Sequence, residues 1–418
     1  MLTTPPALLR SKFFWIGVLY FAEGFPLGIF YDIFPVHFRQ QGVNLSEIGF
    51  LSLLGLAWTL KFLWAPAVDH YRHHRRWMAA VDLGMAAVLL LFAAHSEFGP
   101  WVWLAVGLFT LLSATNDIAI DGYTIEMLDR QELGRANGLR MAFYRVGMLA
   151  TGFILVLRDW VGWPLTYAAA AALLAALAFA CLQAPAERRV ERPHGLRLRT
   201  ELWALARHPT ALLAVLGLLL GALALVDDAI QLSARLPHLW GWLFAGAALL
   251  WLVSWLRRRG MTNDRVPLRE GPMFGTLLDL LQRRHIVPVI GFILLFKLGD
   301  AAMGFMVKPF WVDAGFSATQ IGLVSVNLGL LLSIAGAVAG GWITDRLGIF
   351  RALWLLGLFQ ALSNLGYAWA ATVLPLPPEG GATPFAHQLV MYAASAVESF
   401  SGGLGTAAFL AFLMAIVN

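Results

Sequence analysis

The chain has 418 residues, of which 59% are hydrophobic and 13% charged, with a formal net charge of +5. Soluble domains carry about 45–50% apolar and about 25% charged residues, so this composition excludes an ordinary soluble globular protein and an intrinsically disordered one. A single cysteine, Cys181, excludes a disulfide scaffold within the chain.

A helix of about 20 apolar residues crosses a bilayer, and the chain holds about twelve such runs. The first covers 13–34; it follows Arg10 and Lys12 and shows no small-residue cleavage site, so it predicts an uncleaved span rather than a signal peptide. Runs at 48–65, 77–94, 101–120, 138–157 and 163–182 complete a first set of six. Two more, 211–226 and 239–256, are flanked by arginine-rich segments and predict an inserted hairpin. The remaining four lie at 286–309, 321–343, 352–373 and 387–416. Arg72, Arg75, Arg76, the arginines between 130 and 140, those between 188 and 207, the Arg257–Arg259 triplet, Arg346 and Arg351 all fall in gaps on one side, while the opposite gaps hold Arg39, Arg158 and Arg235. The positive-inside rule places the N-terminus and the arginine-rich gaps in the cytoplasm, so the basic excess is topological and does not signal nucleic-acid binding. His70, His73 and His74 lack a matching set of acidic or thiol ligands; they predict a solvated loop and no metal site.

The segment Asn44-Leu-Ser-Glu-Ile-Gly49 parallels Ser317-Ala-Thr-Gln-Ile-Gly322. Each combines an N-cap oxygen with Glu47 or Gln320 three residues on, a capping box ahead of an apolar run. Each run then leads to a cytoplasmic acid followed by bases: Asp69 before Arg72 to Arg76, and Asp345-Arg346 before Arg351. Duplicated halves with a site between them are the pattern of major-facilitator secondary transporters. The predicted fold is therefore all-α and polytopic, with an N-terminal six-helix bundle over 1–184, a linker with the inserted hairpin over 185–284, and a C-terminal bundle over 285–418. Matching the repeat leaves four spans after the insert, so the sequence is expected to be a C-terminally truncated fragment lacking the last two spans.

An ionisable side chain at the bilayer centre costs about 2.5–3.5 kcal/mol on insertion scales, so such groups pair or line a polar path. By position along their runs, Glu23, Lys297, Asp300 and Glu398 form a midplane group, while Lys61, Asp117, Asp121 and Arg145 form a second group nearer the cytoplasm. All eight are candidates for substrate binding or proton coupling, with Asp69, Asp345 and Arg346 as candidate gating-loop residues. The plainer alternative is a static charge network that fixes helix packing. No phosphate-cradling loop, nucleotide motif or nucleophile with a base is legible, so the chain is not expected to be an enzyme, to use a cofactor or to draw energy from bound ATP.

The residues 48–55 with Lys61-Phe-Leu-Trp-Ala-Pro66 and Asp69, Asp117-Ile-Ala-Ile-Asp121, Tyr144-Arg-Val-Gly-Met148, Phe296-Lys-Leu-Gly-Asp300 and the stretch 398–406 with Gly402-Gly-Leu-Gly405 resemble the AmpG-type muropeptide permeases, and more distantly the acetyl-CoA transporters. The likeness covers most of the chain outside 185–284. It implies a proton symporter of the bacterial inner membrane that imports anhydromuropeptides, N-acetylglucosamine linked to anhydro-N-acetylmuramic acid with or without a peptide, for peptidoglycan recycling. Its partners are then a small molecule, protons and the lipid bilayer. The chain departs from the family at Glu23, in the central hairpin and in the missing spans. Another amphiphilic anion, such as acetyl-CoA or a peptide, is the rival cargo, and a transporter-like scaffold that carries no solute is the rival class.

Overall fold

A chain in hydrocarbon must pair its backbone N–H and C=O groups internally, and the apolar runs accordingly form helices. The computed structural model describes residues 11–61, 64–65, 68, 73–95, 97–128, 132–185, 213, 216–217, 220, 239–259, 286–374 and 383–417, and these hold no strand. Helices α1 (Lys12–Gln40), α2 (Leu45–Leu60), α3 (His74–Ala94) and α4 (Trp101–Met127) are followed by the run Leu133–Gln183. That run is two helices, α5 (133–161) and α6 (163–183), broken at Gly162, whose φ of 76° suits glycine alone. Then come α7 (Leu239–Arg259), α8 (Ile286–Asp313), α9 (Ala318–Leu347), α10 (Ile349–Val373) and α11 (Phe385–Val417). The expected run 211–226 lies almost wholly outside the described residues. Large apolar side chains point outward along these helices, among them Trp354, Leu104 and Phe350, as lipid-facing surface requires.

The duplication is visible in local geometry. The α1–α2 and α8–α9 turns each carry a glycine with φ of 80°, Gly42 and Gly315, two residues before the next N-cap. In both turns the residue after the glycine donates its N–H five residues back, Val43 to Phe38 and Phe316 to Trp311, closing the preceding helix. Ser317 forms the full capping box with Gln320. Asn44 forms half of one, accepting from the Glu47 N–H at 2.8 Å.

The halves are joined at one end. One continuous core there runs from Phe30, Phe34 and Phe38 of α1 through Phe305 and Trp311 of α8 to Tyr367 of α10. Toward the arginine-rich end the core divides into one cluster around Trp15, Tyr20 and Ile118 and another around Leu353, Leu404 and Phe409. Glycines permit the closest helix approaches. A Cβ on Gly24 would meet the carbonyl oxygen of Tyr144, and one on Gly147 that of Phe21, locking α1 against α5. Between the halves, Gly152 of α5 and Gly322 of α9 abut in the same way.

Gly24→Ala and Gly147→Ala therefore force two backbones apart and are expected to destabilise the protein by about 1–3 kcal/mol. Gly341→Ala, where an added Cβ meets nothing within 4 Å, is expected to leave stability unchanged. Thermal unfolding in detergent measures all three, and equal midpoints would refute the close contact.

Candidate functional site

Where the joined end gives way to the divided cores, α1, α5, α8, α9, α10 and α11 line an open cavity of about 320 Å³. That size lies in the range of small-molecule sites. Its wall carries Asp32, Arg145, Lys308 and Glu398, with Ser325, Ser333, Gln360, Ser399 and Thr406 among the polar groups between them. Lys308 Nζ lies 3.5 Å from Asp32 Oδ1 and donates to Ser325 Oγ at 2.7 Å. Thr151 Oγ1 lies 3.2 Å from the other Asp32 oxygen. Asp32 and Lys308 are 7% and 9% exposed, so each is the other's compensation for leaving water. Asp32 occupies a π-helical segment, Ile29–Ile33, and Ser325 occupies another, Ile321–Leu328. Such segments are rare and concentrate at functional positions. Arg145 is half-buried on the same wall and makes no ion pair with any described residue. Opposite it, Glu398 accepts from Ser399 Oγ at 3.3 Å.

A second set of charges lies inside the N-terminal half, nearer the arginine-rich end. Lys61 Nζ of α2 is 3.5 Å from Asp117 of α4. Arg140 of α5 is 3.0 Å from Asp121, and its guanidinium lies over the Tyr20 ring, 4.8 Å from the centroid. Tyr20 donates to Asp121 at 2.9 Å. Glu23, one turn along α1, is buried within the field of Asp117, Asp121, Arg140 and Lys61. At the joined end, Arg39 grips Asp313 through both carboxylate oxygens, with Nη2 to Oδ2 at 3.0 Å, and Asp159 accepts from the Thr319 N–H at 2.7 Å. Both contacts cross between the halves.

The eight predicted charges thus sort differently from their positions along the runs. Arg145 joins Glu398 at the cavity, and Glu23 joins the Lys61, Asp117 and Asp121 set. Lys297 and Asp300 lie on α8, with side chains outside the described residues, as is Asp69 entirely. Asp345 and Arg346 are exposed at the arginine-rich end, where Arg346 stacks on Trp342 at 3.8 Å. His74, expected in a solvated loop, instead opens α3 and is buried, its Nε2 3.8 Å from Glu126. The reason is that α3 begins three residues earlier than the apolar run. Sequence reasoning missed Asp32, Tyr20, Arg140 and Lys308 as site residues. Asp32 has a signal of its own, an acid inside an apolar run, whereas its partner does not follow from spacing.

The Major Facilitator Superfamily profile matches residues 13–237 of the chain. The chain is 28% identical over 414 residues to the anhydromuropeptide permease of Escherichia coli K12, an alignment that covers 96% of this chain and 67% of that protein. It is 22% identical over 423 residues to the putative transporter AmpG 4 of Rickettsia felis, covering 97% of this chain and 83% of that one. The crystal structure of an auto-inhibited POT family peptide transporter shares the fold, with a TM-score of 0.59 at 17% identity over 96% of this chain and 82% of that one. Seven apolar helices among the described residues are long enough to cross a membrane, and the chain is a multi-pass membrane protein.

Lys61 is the nearest described cation to the buried Asp117. Lys61→Gln is expected to destabilise the protein by about 1–3 kcal/mol, between the values for exposed and buried pairs. Lys61→Gln combined with Asp117→Asn is expected to recover most of that loss. Thermal unfolding of the single and double variants checks it, and strictly additive losses would show that the two side chains do not compensate each other.

Proposed function

The chain belongs to the Major Facilitator Superfamily, and on that premise we propose that it is a proton-coupled importer of anhydromuropeptides in the bacterial inner membrane. The observation that carries the cargo is the 28% identity to the anhydromuropeptide permease, spread over 96% of this chain. The cavity supports it. An acidic sugar-peptide needs fixed cations for its carboxylates and many hydroxyl and amide partners for its sugar rings, and the wall offers Arg145, Lys308, Gln360 and several Ser and Thr side chains. Lys297, on the same helix as Lys308, is a further candidate for the anion.

In this reading the arginine-rich end is cytoplasmic, with the N-terminus on that side. The structure then corresponds to a carrier sealed on the outside by Arg39–Asp313, Asp159–Thr319 and the shared aromatic core. The N-terminal bundle covers 1–184 and the C-terminal bundle 285–418, with the linker and hairpin between them. Import requires the halves to rock about the cavity so that the sealed end opens while the other closes. Glu23, Asp117 and Asp121 beside Lys61 and Arg140 form the proton-responsive network in the N-terminal half. Asp300 and Glu398 are the candidate proton-coupling acids of the C-terminal half. Asp69, Asp345 and Arg346 gate the cytoplasmic end. No cofactor enters the cycle.

Cells lacking their own permease but expressing this chain are expected to accumulate a labelled anhydromuropeptide, and a proton ionophore is expected to abolish that accumulation. Unlabelled anhydromuropeptide competes, whereas acetyl-CoA and free peptide do not; the reverse order would transfer the assignment to another anion. Asp117→Asn and Asp300→Asn each lower uptake with insertion intact. Arg145→Gln weakens apparent affinity at least about tenfold, since one charged contact contributes about 1.5–3 kcal/mol.

A further inference from the structure

The Asp32–Lys308 pair differs from the other described charge contacts in three respects taken together. It joins the two halves, as Arg39–Asp313 does, but it also lines the cavity and is nearly closed off from solvent. Its surroundings are equally specific. Asp32 faces Lys308 from α8 and Thr151 from α5; Lys308 in turn is held by Ser325 of α9. The other charged groups on the cavity wall are Arg145 of α5 and Glu398 of α11. Asp32 and Ser325 both project from π-helical segments, so the backbone is locally reshaped on each side of this one contact.

We propose that Lys308 docks a carboxylate of the cargo and that Asp32 is the site of the transported proton, each replacing the other's partner. This deepens the transport reading above and rests on it. When the halves pass from one open state to the other they must close over the cavity and exclude water. In that dry state a charge left without a partner disfavours the conformation by about 10²–10³-fold, equivalent to about 3–5 kcal/mol. Two loadings leave no unpaired charge within this pair. In the empty carrier, Asp32 carboxylate faces Lys308 ammonium. In the loaded carrier, a proton from the outer solution sits on an Asp32 oxygen and the cargo carboxylate takes the place of Asp32 against Lys308. Proton alone leaves Lys308 unpaired, and cargo alone leaves Asp32 a bare carboxylate beside another anion. Both half-loaded forms are therefore held back, and proton and carboxylate cross together. The charges balance, one positive and one negative per passage through this site. On the inner side the cargo leaves, Lys308 returns to Asp32, and the proton is expelled to water.

The test uses the full chain in proteoliposomes. Asp32→Asn removes the negative charge that the empty carrier needs for its return, while the cargo-loaded form stays balanced. The ratio of proton-driven net accumulation to cargo-for-cargo exchange, read with labelled anhydromuropeptide, is expected to fall at least about tenfold below wild type. Lys308→Gln leaves the empty carrier able to close over the cavity only with Asp32 protonated, the reverse of wild type. With no cargo present, single-molecule energy transfer across the sealed end is expected to show interconversion slowed by acid in wild type and speeded by acid in Lys308→Gln. An Asp32→Asn protein with the wild-type ratio, or a monodisperse Lys308→Gln protein whose interconversion keeps the wild-type pH dependence, overturns the proposal. The interconversion measurement needs no cargo, so it decides the pair's role independently. Absence of anhydromuropeptide exchange in the wild-type protein would instead overturn the cargo reading alone.

Discussion

A charge taken into the membrane interior must find an opposite charge, a hydrogen-bonding cage or water, because the low dielectric leaves no other compensation. The positions of α1, α2, α4, α5 and α8 relative to one another satisfy this requirement at particular residues. Lys61 reaches Asp117, Arg140 reaches Asp121 with the Tyr20 hydroxyl beside it, and Lys308 reaches Asp32. Each contact joins side chains on different helices, so each fixes rotation as well as proximity. Apolar packing in lipid supplies little such specificity, since a leucine is as comfortable against a lipid tail as against another helix. The glycine contacts set how near the helices come, and the charge contacts set which faces meet.

The joined end is built from the duplicated turns. Gly42 and Gly315 each hold positive φ, each is followed by an N–H bonded five residues back, and each leads to an N-cap. Arg39 and Asp313 flank these turns at the ends of α1 and α8, so the two repeats grip each other through equivalent corners. Because Arg39 makes a two-pronged contact and also donates to the Val43 carbonyl at 2.8 Å, the corner of its own repeat is fixed by the bond that seals the halves. Breaking that seal loosens a turn as well as an interface.

Much of this was legible in the chain. The positions of the described spans followed from run length, and the α5–α6 break followed from the gap at Arg158 to Gly162. The Asn44 and Ser317 caps followed from the side-chain pattern. What was not legible is instructive about depth. Counting residues along a run placed Glu23 at the midplane and Arg145 nearer the cytoplasm, but counting ignores which face of the helix a residue occupies. Glu23 faces α4, and Arg145 faces the cavity. Asp32 and Lys308 escaped for another reason. Asp32 is an acid inside one apolar run and Lys308 a cation near the end of another, and only the packing of α1 against α8 shows them to be one feature. Arg140 was read as a topological arginine, although its long side chain reaches back to Asp121 from the end of α5.

In the transport cycle proposed above, the position of α1 links the two separate charge sets. The Lys61, Asp117, Asp121 and Arg140 set lies wholly within the N-terminal half, so rocking one half against the other does not by itself change its internal distances. The Asp32–Lys308 and Arg39–Asp313 contacts span the halves and must change. Helix α1 touches all of them: Tyr20 and Glu23 in the first set, Asp32 at the cavity and Arg39 at the seal. Between Glu23 and Asp32 the helix carries Pro26 and then a π segment, two interruptions of the regular backbone bonding. A proline and a π segment are where helices bend. In that cycle a shift of charge around Glu23 would reach Asp32 through a backbone with two irregularities between them. In the proposed cycle the acids of the N-terminal half act on the cavity through α1, and the charge pairs that span the halves, Asp32–Lys308 and Arg39–Asp313, lie where α1 meets α8.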